Sequence, residues 1–182
     1  MRSVSKMKIE TPRLILRNFE ICDLADLHEM LGDAETMQNC EPAFEFEKTE
    51  AFLRDFCIGR KAAVAAALRD SGKVIGYILF NSIGAHEVYE LGWIFNKNFW
   101  RQGYAYEAIS ALIEHGFSQM GIHKFFAEAI DTEKSVGLME KLGMKREGIQ
   151  RAHTKDSNGQ WVDMYIYGLL RDDYFDNKTG VF

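Results

Sequence analysis

Tyr89-Glu90-Leu91-Gly92-Trp93-Ile94-Phe95, followed by Trp100-Arg101-Gln102-Gly103-Tyr104-Ala105-Tyr106-Glu107-Ala108, is the stretch that decides the fold of this 182-residue chain. The first segment is an apolar, strand-like run. The second opens a long amphipathic helix in which Ala105, Ala108, Ile109, Leu112, Ile113 and Phe117 recur on one face. A small-residue turn between strand and helix exposes several unpaired backbone N–H groups at the positive end of the helix dipole. Gly103 and Ala105 let a ligand approach that backbone closely, so the segment reads as a cradle for phosphate oxygens.

Working outward toward the N-terminus, Thr11-Pro12-Arg13-Leu14-Ile15-Leu16-Arg17 alternates and predicts a first strand. Asp23 is placed to cap a helix whose apolar face is Leu24, Leu27, Met30 and Leu31. A second helix is expected over about residues 47–57, burying Phe52, Leu53 and Phe56. Ala63–Leu68 and Val74–Phe80 flank the turn Arg69-Asp70-Ser71-Gly72-Lys73 and predict a hairpin, and Val88–Phe95 is a further strand. Toward the C-terminus, Lys124–Ile130 reads as a buried strand, and Thr132 or Ser135 can open a helix that runs through Leu142 to a Gly143 cap. Lys145–Thr154 and Trp161–Leu169 flank a second hairpin turn, Lys155–Gln160. Hairpins around a single β-helix-β unit predict an α+β fold in α/β/α layers, with helices against a mostly antiparallel mixed sheet.

The composition, 47% hydrophobic and 27% charged, is that of an ordinary globular chain, and residues 1–182 read as one domain with residues 1–8 flexible. No apolar run is long enough to span a bilayer, and no secretory h-region follows the basic start. Cys22, Cys40 and Cys57 are an odd number without a CxxC pair. Reduced thiols in a cytoplasmic protein are expected, and no metal site. The net charge of −5 argues against a nucleic-acid partner and is compatible with a cationic substrate. His28, His86, His115, His123 and His153 show no metal spacing and no neighbouring nucleophile, so surface or packing roles are expected of them.

Taken together, these segments resemble the GNAT superfamily of acyl-CoA-dependent N-acetyltransferases, and within it the Rim-type branch that includes ribosomal-protein N-terminal acetyltransferases. Four motifs in order carry the likeness: Thr11–Arg17 as the opening strand, Glu90–Ile94 with Phe99–Ala108 as the acetyl-CoA motif, Ser135–Met144 as the following helix, and Asn158–Asp163 through Tyr167–Leu170 as the closing hairpin. Trp100 stands where the wider superfamily has Gln or Arg, and Trp there is usual in the Rim-type branch. Thr132 replaces a frequent Asn. Met139 occupies the place of the tyrosine that many members use as general acid, so that acid is excluded.

The resemblance implies acetyl transfer from acetyl-CoA to a primary amine by direct attack in a ternary complex. The acceptor would be a protein N-terminal α-amine, such as that of a ribosomal-protein alanine, or a small amine. Backbone groups from Arg101, Gln102, Gly103, Tyr104 and Ala105 would hold the pyrophosphate, with Thr132 and Ser135 also toward CoA. Backbone N–H groups near Trp93, Ile94 and Phe95 would meet the thioester oxygen if their strand splays from its neighbour; Gly92 is compatible with a bulge there. The amine must lose a proton before attack, and Glu90 is the candidate general base; the alternative is an exposed strand glutamate. Ser135 can hydrogen-bond the leaving thiolate, or it can simply satisfy backbone donors at a helix start. Cys40, Phe44, Phe46, Trp161, Tyr165 and Tyr167 are candidates for the acceptor cleft or for core and loop roles. A monomer and a homodimer are both compatible with the chain, and nothing suggests a membrane partner.

Two other functions remain open at this level. A silent acetyl-CoA-binding sensor would keep the cradle and lose the base. A dinucleotide-binding oxidoreductase would read Gly103-x-Ala105-x-x-Ala108 as a relaxed GxGxxG with Glu128 as the ribose acid, but it requires a doubly wound sheet that these hairpins do not build.

Overall fold

The computed structural model describes residues 7–84 and 87–179. The chain divides into two compact units, Met1–Phe80 with Trp93–Leu112 and Asn81–Gly92 with Ile113–Phe182.

In the first unit, β1 (Lys8–Glu10), β2 (Leu14–Asn18), β3 (Ala63–Leu68) and β4 (Val74–Ser82, up to Phe80) pair antiparallel in sequence order, from Lys8↔Arg17 through Leu14↔Leu68 to Ala63↔Leu79. Period-two burial puts Leu14 and Leu16 fully inside, and the alanine run of β3 lets neighbouring layers come close. α1 (Leu24–Leu31) buries Leu27, Met30 and Leu31 as its spacing predicts. α2 (Phe46–Phe52) continues as a π-helical stretch, Leu53–Gly59, which turns Leu53 and Cys57 inward. These residues share one core with Phe19, Met37, Phe44 and Tyr77, in which Phe52 stacks on Phe56 at 5.1 Å between ring centroids.

In the second unit, the first part of β5 (Val88–Phe95) pairs parallel with β6 (Lys124–Ala129) over Val88↔Lys124 to Glu90↔Phe126, and the register ends there. β6 pairs antiparallel with β8 (Trp161–Leu170), and β8 with β7 (Lys145–Lys155), whose register shifts twice. The later turns of α3 (Tyr104–Gln119) bring Phe117 to 4.9 Å from Phe125 between centroids. α4 (Lys134–Lys141) ends as expected. Gly143 adopts φ +84°, its N–H bonds Glu140, and the N–H of Met144 bonds Met139, closing the helix in a Schellman arrangement.

Several expectations change in detail. Asp23 stands at the start of α1, but its carboxylate does not cap that helix. It accepts from the backbone N–H of Glu20 at 2.8 Å and forms a two-pronged pair with Arg17 at 2.7 Å. Neither Thr132 nor Ser135 caps α4, because Asp131 Oδ1 accepts from the backbone N–H groups of Glu133 and Lys134. The sequence reading omits α5 (Arg171–Thr179), whose Tyr174 and Phe175 pack on Phe117. Of residues 1–8, expected to be flexible, 1–6 lie outside the described residues. Met7 donates to Asn18 and Lys8 pairs with Arg17 in β1.

The packing of α3 on β6 yields a stability prediction. A Cβ at the buried Gly116 would lie 2.5 Å from the ring of Phe125, which is itself fully buried. Gly116→Ala is expected to destabilise the fold by about 1–3 kcal/mol, since overpacking outweighs the gain in helix propensity. Urea denaturation reads this as a lower midpoint at unchanged slope; an unchanged midpoint would show that the Phe125 ring yields freely.

Candidate active site

The candidate cradle lies in the first unit. After β5, the buried Asn96 turns the chain: its N–H bonds the carbonyl of Ile75, its Oδ1 accepts from the N–H of Asn98, and its Nδ2 donates to Glu29. The Trp100 indole Nε1 donates to the carbonyl of Phe95 at 2.7 Å, tying the loop to the strand it leaves. Arg101 then takes φ +59° and Gly103 φ +81°, two left-handed residues in three, and α3 begins at Tyr104. Among the described residues, no acceptor meets the backbone N–H groups of residues 101–105. This is the row of orphan donors that a helix start offers to an anion. A non-glycine residue at positive φ, as at Arg101, stores backbone strain of order 1–2 kcal/mol, which surrounding contacts must hold.

The flank of the cradle carries residues that the sequence reading did not single out for the site. Glu107, in the first turn of α3, accepts from the Thr11 hydroxyl at 2.7 Å, the Arg13 backbone N–H at 2.9 Å and the Arg13 Nε at 2.6 Å. Arg13 Nη1 donates to the carbonyl of Gln102 at 2.9 Å, and its guanidinium lies over the Tyr104 ring. An acid in a first helical turn is legible from sequence; its partner more than ninety residues earlier is not.

On the strand before the cradle, Trp93 and Ile94 are half-buried. Phe95 is buried, with its ring so close to Gly76 that a Cβ there would lie 2.5 Å away. The Phe95 side chain is therefore core.

The second unit holds Glu90, Thr132 and Ser135. Glu90 is half-buried on β5 opposite Phe126, and Glu128 lies two residues further along β6, on the same face as Phe126. Burial, and then the negative charge of Glu128, raise the Glu90 carboxyl above its ordinary value. Thr132 is exposed, and Ser135 is half-buried just inside α4. With the helix start served by Asp131, the Ser135 hydroxyl has no capping task. The Tyr167 hydroxyl is held by Glu140, so this ring belongs to the core, as does Phe44. Trp161, Phe46 and Cys40 are exposed. Cys57 is buried, which pushes its thiol up to about 12 and makes it inert. His28 bonds Thr49 and stacks edge-on against Phe46, a packing role; His86 lies outside the described residues.

Among the described residues, no group of three or more His, Cys, Asp or Glu is arranged to hold a metal, and no helix is long and apolar enough to cross a membrane.

Comparison with known proteins gives the family. Residues 13–145 match the acetyltransferase (GNAT) domain family, and the chain belongs to it. It is an N-acetyltransferase with an α+β layered fold. It is 34% identical to the uncharacterized N-acetyltransferase YnaD of Bacillus subtilis over 92% of this chain and 99% of that one. The crystal structure of a GNAT-family acetyltransferase from Bacillus anthracis shares 31% identity at a TM-score of 0.84, covering 91% of this chain and 99% of that one. Two more distant structures share the fold. One is a ribosomal-protein-S5-alanine acetyltransferase from Vibrio fischeri, at 18% identity and TM-score 0.76 over 92% of this chain and 98% of that one. The other is a spermidine N-acetyltransferase from Vibrio cholerae in complex with CoA and spermine, at 23% identity and TM-score 0.77 over 91% of this chain and 99% of that one. A dinucleotide-binding fold does not fit, since the strands of the described residues pair mostly antiparallel rather than as a doubly wound parallel sheet.

Proposed function

We propose that this enzyme, acting as one domain over residues 1–182 in the cytoplasm, moves acetyl from acetyl-CoA to a primary amine by direct attack in a ternary complex. The observation that carries the reading is the row of N–H groups at residues 101–105 that, among the described residues, meet no acceptor at the start of a 16-residue helix. Those donors suit the oxygens of a pyrophosphate, and Gly103 keeps the approach open. Arg101, Gln102, Tyr104, Ala105 and Thr132 complete the grip on the donor. Backbone N–H groups at Trp93, Ile94 and Phe95 polarise the thioester.

Glu90 takes the proton from the arriving ammonium, and its raised pKa suits that task. Ser135, relieved of capping, hydrogen-bonds the leaving thiolate. The reading needs no covalent enzyme intermediate and no metal. For the acceptor, the Glu90–Glu128 carboxylates favour an amine that arrives as a cation, which includes a protein N-terminus and a small amine alike.

Thermal denaturation with acetyl-CoA, followed by an acceptor screen reading free CoA thiol over N-terminal peptides, polyamines and amino sugars, tests the proposal. At a hundredfold excess over Kd, binding adds about 2.7 kcal/mol, which is roughly 5–10 °C for a chain of this size. Stabilisation with turnover on at least one amine is expected. Absence of any shift would remove the cradle reading. A shift without turnover on any amine would favour the sensor.

A further inference from the structure

We infer that Arg13, a residue of the opening segment far from the cradle in sequence, is a positioning residue for it: Arg13 turns the Gln102–Gly103 peptide outward and neutralises Glu107, so that the helix start accepts an anion. This rests on the cradle reading above.

Peptide geometry sets the direction of the donor. In a trans peptide the C=O and the following N–H point in opposite directions. Arg13 Nη1 holds the Gln102 carbonyl at 2.9 Å, so the Gly103 N–H is directed away from Arg13, toward the open side of the loop. The Tyr104 ring fixes the guanidinium from a second direction, at 4.1 Å between the guanidinium carbon and the ring centroid. Gly103 itself has φ +81°, and a Cβ there would stand 3.5 Å from Arg13 Nη2, at ordinary van der Waals distance. Arg13 therefore sets the conformation from below without filling the space above.

Charge sets whether an anion is accepted there. A carboxylate in the first turn of α3 interacts favourably with the helix dipole and so competes with any other anion at the same helix end. Glu107 is such a carboxylate. Against the upward push of burial, the hydrogen bonds of Thr11 and Arg13 hold it below its ordinary range, so it is ionised at neutral pH. Left alone it would repel a pyrophosphate. The Arg13 guanidinium at 2.6 Å cancels that charge, and the Thr11 hydroxyl and Arg13 backbone N–H occupy the other carboxylate oxygen. The pair keeps the helix anchored to the segment that leads into β2 while sparing the N–H row for a ligand.

The test measures CoA affinity by titration, and kcat and KM with acetyl-CoA and with acetyl-pantetheine, a thioester donor that lacks the pyrophosphate. Arg13→Ala is expected to raise Kd for CoA and KM for acetyl-CoA by about 10- to 50-fold, with kcat at saturation within about threefold and KM for acetyl-pantetheine unchanged. Arg13→Lys restores the charge without the fork and is expected to recover only part of the loss. Glu107→Gln added to Arg13→Ala is expected to recover part of it as well, by removing the uncompensated anion. An Arg13→Ala protein with a lower melting temperature and CoA affinity within twofold of wild type would overturn the inference, as would an equal rise in KM for acetyl-pantetheine. Should Arg13→Ala not fold, Arg13→Lys gives the same comparison of the two donors. If wild-type protein itself fails to bind CoA, it is the proposed function that falls.

Discussion

Glu90→Gln is expected to lower kcat by about 10²-fold at pH 7 with an acceptor that is protonated in solution, leaving KM for acetyl-CoA within a few-fold. The amide is nearly isosteric and cannot accept the proton, so the loss reports the base and not the packing of β5. The sign of the pH dependence follows from the direction of the shift. Burial, then Glu128, raise the Glu90 carboxyl above its ordinary value, and the base works only when ionised. The wild-type rate should therefore fall as pH drops through a value above the ordinary carboxylate range, and this acid limb should vanish in Glu90→Gln. In Glu128→Gln one cause of the shift is gone, so the acid limb should move to lower pH. Linkage runs the other way for stability. A carboxyl raised in the folded state favours the fold while protonated and loses that contribution as pH rises through its folded pKa. Glu90→Gln should thus melt no lower than wild type at pH 7, which separates lost chemistry from lost fold. An unchanged kcat with the acid limb intact would leave Glu90 a strand glutamate of the sheet.

Gly103→Val is expected to raise KM for acetyl-CoA by about 30- to 100-fold while changing kcat at saturation much less. At φ +81° a β-branched residue is strained, and relief of that strain rotates the peptide whose N–H faces outward. Each charge-assisted hydrogen bond to a phosphate oxygen is worth roughly 1.5–3 kcal/mol, so losing one of them accounts for an effect of this size. Gly143→Val is the control. It also stands at positive φ, but as the C-terminal cap of α4, so it should lower the melting temperature and spare KM. If both variants lose stability equally and neither changes KM, Gly103 is a turn glycine without a ligand.

Much of this was legible in advance because it is written in local patterns. Of the expected α3 face, Ala108, Ile109, Leu112, Ile113 and Phe117 are buried and Ala105 is half-buried, and the hairpins of β3–β4 and β7–β8 lie where their turn residues place them. What sequence misread are groups with two possible partners. Asp23 is a good helix cap in isolation, yet it is taken by Arg17 because a buried carboxylate gains more from a charged fork than from a backbone N–H. Thr132 and Ser135 are reasonable caps, and Asp131 reached the same donors first. α5 is not legible in the sequence because it is polar and packs against Phe117 only through Tyr174 and Phe175.

The segment from Tyr89 to Ala108 by itself determined a strand, a glycine turn and a helix start, since φ/ψ preference, helical period and the orphan N–H groups of a helix terminus are properties of neighbouring residues. From these, and from the order of the motifs around them, the acetyltransferase family followed. Only the tertiary structure decided how the loop before α3 is held and which charges meet within each unit. Arg13 meets Glu107 across 94 positions, and Glu128 comes beside Glu90 only through the β5–β6 register. Electrostatic energy depends on distance in space and on burial, and neither is a function of separation along the chain.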